Sequence, residues 1–263
     1  MENGGDQACQ PEEPKIELFV KAASDGTSLG DCVFCQRIFM ILCLKKIKFS
    51  VTTVDMTKKH LFKALPSLGT KIPLLMIEGE EPITDVTEMA NYLEKRLAPP
   101  MYPKLEPNNP EAAMAGTEIF QKFSKFIKNN NKDDTERLQR ALYISLVQLN
   151  EFLIRRLPDE IDDDTDENSP SERKFLDGNQ LTHPDCNLLP KLHHVRVAVK
   201  LRQWEIPQDL TGLWRYLNAA YETEEFKKTL YPDEEVCLTW KKHMDSSAQM
   251  SRGNAVHVAP KAS

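Results

Sequence analysis

Residues 16–22, IELFVKA, alternate: Ile16, Leu18, Val20 and Ala22 share one face, the period-two pattern of a strand. The segment SDGTSLGD that follows is a loop by composition. CVFCQRIFMILCLKK is then apolar nearly all round in its middle, which predicts a helix packed between a sheet and another domain. The β-branched run FSVTTVDM (49–56) predicts a second strand. A strand–helix–strand unit of this kind implies a parallel pair with a right-handed crossover. After the polar connection TKKHLFKALPSLGTK, LLMIEG (74–79) predicts a third strand, with a turn near Gly79 and a short strand to Ile83. Thr84-Asp85 opens a helix with the stripe Val86, Met89, Ala90, Leu93 and Leu97, and Asp85 and Glu88 are spaced as a capping box.

The order βαβ then ββα is the thioredoxin arrangement, expected over 16–98. The Pro-rich segment 99–110 ends it, and everything beyond reads as helical. Ile119, Phe123, Phe126 and Ile127 form one stripe; Leu138, Leu142, Leu146, Leu149 and Leu153 form another. Thr182 and Asp185 are spaced as a capping box, with Leu181 and Cys186 as the matching staple. Pro184 falls in the first turn of that helix, while Pro190 lies deeper and predicts a kink. TGLWRYLNAAY (211–221) and PDEEVCLTWKKH (232–243) predict two further helices. The expected organisation is a thioredoxin-like N-terminal domain and an all-helical C-terminal domain over 111–244. An acidic, mobile loop is expected at 158–174, a loose leader at 1–15 and a disordered tail at 245–263.

Composition narrows the picture. A chain of 263 residues fits two compact domains, and 40% hydrophobic with 28% charged residues is ordinary for a soluble protein. The net charge of −6 argues against a nucleic-acid partner. The longest apolar run, Ile38 to Leu44, is far short of the roughly 20 residues a spanning helix needs. A wider window from Cys32 to Val54 takes in Arg37, Lys45, Lys46 and Lys48. The first fifteen residues are too polar for a signal peptide. Cys9, Cys32, Cys35, Cys43, Cys186 and Cys237 are sparse and irregular, so a reducing, cytoplasmic home is expected rather than a disulfide framework.

The main chemical signal is Cys32-Val33-Phe34-Cys35 between a strand and a helix. A cysteine at a helix N-terminus faces unpaired N–H groups and the positive dipole end, which favour thiolate over thiol. Arg37 is placed to add to this, and Cys35, one turn further in, to act as a resolving thiol. Two packed structural cysteines are the plain alternative. A zinc site is a weaker one, since no second C-x-x-C supplies the remaining ligands. Ile72-Pro73 precedes the third strand, where a cis proline would face the cysteine of a thioredoxin-like domain. Thr84-Asp85 is an N-cap whose free N–H groups can hold a carboxylate while Asp85 meets an ammonium; the γ-glutamyl end of glutathione offers both. His193 and His194 read as structural rather than as a metal pair, Trp204, Trp214 and Trp240 as packing residues, and no metal is expected.

Several segments together resemble the chloride intracellular channel (CLIC) family: ELFVKAASDG, CVFCQRIFMILCLK, VTTVDMTKK, LAPPMYPKL, KFSKFIKN, RKFLDGNQLT, DCNLLPKLH and IPQDLTGLWRYLNAAY. The resemblance runs from about Ile16 to about Lys242. It implies a fold like that of omega-class glutathione transferases, with Cys32 reactive and Lys21, Ile72, Pro73 and Asp85 holding glutathione as co-substrate. It implies glutaredoxin-like reduction of substrates such as dehydroascorbate. It also implies a protein that moves from cytosol to membranes to form anion channels, with the segment from Cys32 to Val54 entering the lipid. Val33 stands where many members have proline, Cys43 where they have tryptophan and Lys46 where they have glycine. Leu65 lies where one member has a disulfide-forming cysteine.

Three functions follow as expectations. The first is a glutathione-dependent oxidoreductase, monomeric in solution. The second is a membrane-inserted and oligomeric anion channel, with membrane lipids as conditional partners and Lys21, Arg37 and Lys45 attracting anions. The third is a scaffold binding cytoskeletal or trafficking proteins, with Cys32 as a redox tag.

Overall fold

The computed structural model describes residues 15–58, 71–161 and 169–256. Cys9, Leu65, the centre of the acidic segment and the last seven residues lie outside them. Three strands, β1 (Ile16–Lys21), β2 (Phe49–Val54) and β3 (Leu74–Ile77), form one sheet in the order β2-β1-β3. β1 and β2 run parallel, with Ile16 opposite Phe49 and Lys21 opposite Val54. β3 is antiparallel to β1, with Phe19 opposite Leu74. The expected fourth strand is reduced to a single bridge, in which Ile83 and Leu75 exchange two backbone hydrogen bonds of 2.9 Å. Pro82 has no N–H to extend the ladder, and Asp85 must already cap the next helix.

That helix is α2 (Val86–Arg96); α1 (Val33–Leu44) is the crossover between β1 and β2. The helical part comprises α3 (Ile119–Ile127), α4 (Thr135–Ile154), α5 (His183–Ala198), α6 (Thr211–Glu222), α7 (Glu224–Thr229) and α8 (Asp233–Val256). Ile16, Leu18 and Val20 put one sheet face into a core shared by both domains, while Phe19, Val54 and Leu74 form a small cluster on the other. α1 packs on α2, α5 and α7, which explains its nearly all-round apolarity. Ile38, Met40, Ile41 and Leu42 are wholly buried, each contributing about 1.5–3 kcal/mol relative to exposure.

α1 ends in a way its sequence conceals. Lys45, expected to face lipid or anions, is completely buried. Its Nζ meets Glu94 Oε2 and the carbonyls of Leu97 and Pro103, each at 2.7 Å. A buried ammonium persists only with such full compensation, and here it fastens α1 to the end of α2 and the linker. Lys46 has φ +57°, the left-handed conformation that usually ends helices on glycine.

In the helical domain α5 is the central rod, packed on α1, α3, α6 and α8. Buried Asp185 Oδ2 accepts from the Thr182 N–H (2.8 Å) and hydroxyl (2.6 Å). Its Oδ1 accepts from the Leu176 N–H (3.0 Å) and the Tyr216 hydroxyl (2.9 Å). Leu181 and Cys186 are both buried, as a staple requires. The helix runs unbroken through the buried Pro190, held by its neighbours on several sides.

Two expectations for this domain are corrected. The 158–174 segment is anchored at both ends rather than solvated throughout. Ser171 N–H bonds Ile154 O at 2.7 Å, and buried Arg173 bonds Phe152 O, Arg155 O (2.5 Å) and Glu160 (3.0 Å). Arg173 thus satisfies carbonyls at the end of α4 that the helix itself leaves unpaired. The residues from Asp245 continue α8 to Val256 instead of forming a disordered tail from that point. Met244 packs on the core, and the hydroxyls of Ser246 and Ser247 bond back to Lys242 O and His243 O at 2.9 Å, within the helix.

Candidate functional site

The turn leading to Cys32 is held against β1. Gly30 N–H bonds Lys21 O at 2.8 Å, and a Cβ on Gly30 would lie 2.3 Å from Ala22 O, so only glycine fits. Asp25 accepts from the Thr27 and Ser28 N–H groups and the Ser28 hydroxyl, and these bonds hold its carboxyl at about 2. Glu235, in the first turn of α8, accepts from the Ser24 N–H (2.9 Å) and hydroxyl (2.5 Å). The loop is therefore fastened to its own strand and to the C-terminal domain.

This geometry makes Cys32 the N-cap of α1, with extended backbone at φ −116° and ψ 108°. The half-buried thiol is held down at about 7, from an ordinary 9.0. The largest cause is a hydrogen bond from the Cys35 thiol; burial opposes it, and the Cys35 and Phe34 N–H groups and the Lys21 charge assist. Cys35 is buried, and burial pushes its own thiol well above 9.0. Its sulfur accepts from the Lys21 N–H at 3.4 Å. A protonated, enclosed Cys35 is thus a donor to Cys32, where the spacing alone suggested a resolving thiol.

The cation acting on Cys32 is Lys21, not the expected Arg37. Lys21 Nζ pairs with Asp31 Oδ1 at 2.5 Å; the other carboxylate oxygen of Asp31 is buried without a hydrogen-bond partner among the described residues. Arg37 turns instead toward Asn187 Oδ1, at 3.4 Å. Tyr231 lies within electrostatic reach: burial, then the charges of Asp31, Cys32 and Cys35, push its phenol well up.

Ile72, Pro73, Thr84 and Asp85 line one cleft of about 570 Å³ together with Phe34, Arg37, Met56, Lys71, Val86 and Thr87. The Ile72–Pro73 peptide is cis. Asp85 Oδ1 caps α2 by accepting from the Thr87 (2.9 Å) and Glu88 (2.8 Å) N–H groups. No hydrogen bond among the described residues engages its Oδ2. Phe34, 48% exposed, lines this cleft, and Cys32 does not. Sequence reasoning missed Phe34, because on the α1 wheel it falls on the side of the buried Ile38 and Ile41, and only its place in the first turn leaves it exposed. It missed Asp31 and Tyr231 as well. Asp31 carries no motif, and Tyr231 comes close only through the fold.

The remaining candidates lie outside the lining of this cleft. Burial raises the thiols of Cys43 (to about 11), Cys186 and Cys237. Val54 belongs to the small cluster behind the sheet. His193 Nδ1 meets the Tyr221 hydroxyl at 2.7 Å, and His194 lies between the Tyr231 hydroxyl (2.6 Å) and Trp240 Nε1 (3.0 Å). Among the described residues no three His, Cys, Asp or Glu side chains are grouped to hold a metal.

This architecture, a thioredoxin-like sheet domain followed by a helical domain with a cysteine at the first helix start, defines a glutathione-transferase-like protein. Residues 14–100 match the CLIC-like N-terminal domain. The chain is similar to dehydroascorbate reductase of Chlamydomonas reinhardtii, with TM-score 0.72 and 25% identity over 87% of this chain and 98% of that one. It is similar to the CLIC homologue EXC-4 of C. elegans, with TM-score 0.70 and 25% identity over 89% of this chain and 83% of that one. It shares its fold with a rice glutathione transferase solved with glutathione, with TM-score 0.63 and 16% identity over 89% and 98%. Among the described residues no helix is long and apolar enough to cross a membrane.

Proposed function

We propose that the chain is a glutathione-dependent thiol–disulfide oxidoreductase, of the dehydroascorbate-reductase-like kind, in which Cys32 is the nucleophile. The observation that carries this reading is the Cys32 thiol lowered to about 7 at a helix start by a protonated Cys35. A thiol of that pKa is about half ionised at neutrality and is also a good leaving group. The Cys32 thiolate attacks the glutathione sulfur of a glutathionylated substrate, whose own sulfur leaves as a thiolate. The thiolate of a second glutathione then attacks the glutathione sulfur of the mixed disulfide, releasing glutathione disulfide and restoring Cys32. With dehydroascorbate, two glutathiones supply the two electrons and two protons and leave as one disulfide. Ile72, Pro73, Thr84 and Asp85 would hold the peptide. The Asp85 Oδ2 left open by the cap is suited to an ammonium, and Lys71 to a carboxylate. Lys21 supports the thiolate. The test is intact mass after incubation with glutathione disulfide: one glutathione adduct, lost in Cys32→Ser and retained in Cys35→Ser.

The CLIC-like N-terminal domain supports a second reading, an inserted, anion-conducting form. It requires the segment 32–54 to leave its packing and Lys45 to give up Glu94 and two carbonyls. Anion flux across vesicles made with purified protein, absent at neutral pH and present under acid or oxidising conditions, is its test; flux absent under all these conditions removes it.

A further inference from the structure

Where α1 meets α5, Arg37 and Lys191 converge on one neutral atom. The Asn187 side-chain oxygen accepts from Lys191 Nζ at 2.7 Å and from Arg37 Nη1 at 3.4 Å. Both cations are half-buried, and among the described residues neither forms an ion pair. Arg37 Nε is enclosed without a hydrogen-bond partner among those residues. The acids nearby do not answer the charge. Glu94 is committed to Lys45 and His183, at 2.7 and 2.9 Å, Glu106 is exposed, and Asp85 acts on Arg37 only at longer range. Burial and the Arg37 charge both disfavour the Lys191 ammonium. Beside Arg37 and Asn187 lies a pocket of about 280 Å³ between the domains, walled also by His183, Lys95, Glu94 and Glu106, with Lys191 just outside its lining.

Two half-buried like charges sharing a single amide oxygen are under-compensated, and an anion with several acceptor oxygens would satisfy both at once. We propose that this junction binds a compact oxyanion, a phosphate or a small carboxylate, on the Asn187 side of Arg37, adjoining the cleft at Pro73 and Asp85 that Arg37 also lines. The planar guanidinium suits an oxyanion over a halide, because it offers parallel donors rather than a point charge. Such a ligand would bridge α1 of the first domain to α5 of the second.

The test is calorimetric titration of the full chain with inorganic phosphate and, in parallel, malonate at low ionic strength. Chloride at matched ionic strength is the control, and each titration is repeated with saturating glutathione. One phosphate or malonate per chain is expected, with chloride far weaker and glutathione without effect; whichever of the two binds more tightly identifies the ligand class. Lys191→Met should weaken binding by about tenfold or more, as for a lost charge-assisted hydrogen bond, and Lys191→Arg should restore it. Lys191→Gln should give the same loss should the methionine variant fold poorly. Binding no tighter than that of chloride, binding unchanged in both Lys191→Met and Lys191→Gln, or displacement by glutathione would each overturn the site.

Discussion

The thiol of Cys35 donates to the sulfur of Cys32, and its own sulfur accepts from the N–H of Lys21 at 3.4 Å. The second cysteine of the pair therefore tunes the first. Cys35→Ala should raise the Cys32 pKa from about 7 toward the ordinary 9.0, because the largest stabilising contact is gone. Alkylation rate against pH reads this directly, and turnover at neutral pH should fall with the thiolate fraction without vanishing.

Lys21 and Asp31 should act in opposite directions on the same thiol. Lys21→Met removes a cation that favours the thiolate, so the pKa rises. Asp31→Asn removes the anion that holds Lys21, at 2.5 Å, so the Lys21 charge acts undivided and the pKa falls. Shifts of the same sign in the two variants would show that the pair is purely structural.

Lys46 carries a strain that can be removed. Its φ of +57° disfavours any side chain with a Cβ. Lys46→Gly should stabilise the protein by roughly 0.5–1 kcal/mol, after the greater unfolded-state freedom of glycine is subtracted. Urea unfolding with an unchanged m-value is the check. Lys45→Met one residue earlier should do the opposite, costing about 3–5 kcal/mol by leaving Glu94 without its buried partner.

Acid should weaken the fold from pH 6.5 downward. Burial depresses His193 to about 4 and His194 to about 3, so both are neutral in the folded state while the unfolded chain takes up protons. Their stabilisation is complete above 6.5 and is lost progressively as pH falls toward those values, on the order of 3 kcal/mol for His193 and about 5 kcal/mol for His194. Denaturation midpoints measured between pH 7 and 4 should fall steeply in the wild type and less steeply in His193→Gln.

The parts of the fold written in local pattern were legible. The alternation at Ile16–Ala22, the β-branched second strand, and the caps at Asp85 and at Thr182 with Asp185 each appear where spacing places them, because each depends on neighbours in sequence. The long-range contacts were not legible. Lys45 beside Lys46 reads as a solvated pair, yet one is sealed inside and the other sits at a left-handed turn. Arg37 is five residues from Cys32, but the cation that serves Cys32 comes from the preceding strand. The C-x-x-C spacing fixes where the thiols lie, and only the packing of α1 decides which of them meets solvent.

The most direct test is glutathione-coupled reduction of dehydroascorbate and of a glutathionylated peptide by the full chain, beside Cys32→Ser and Cys35→Ser. The prediction is turnover in the wild type that rises with pH through about 7, the Cys32 thiol value, is abolished in Cys32→Ser and persists at a reduced level in Cys35→Ser. Undiminished turnover in Cys32→Ser, or none in the wild type with an alkylation profile centred near 9.0, would contradict it.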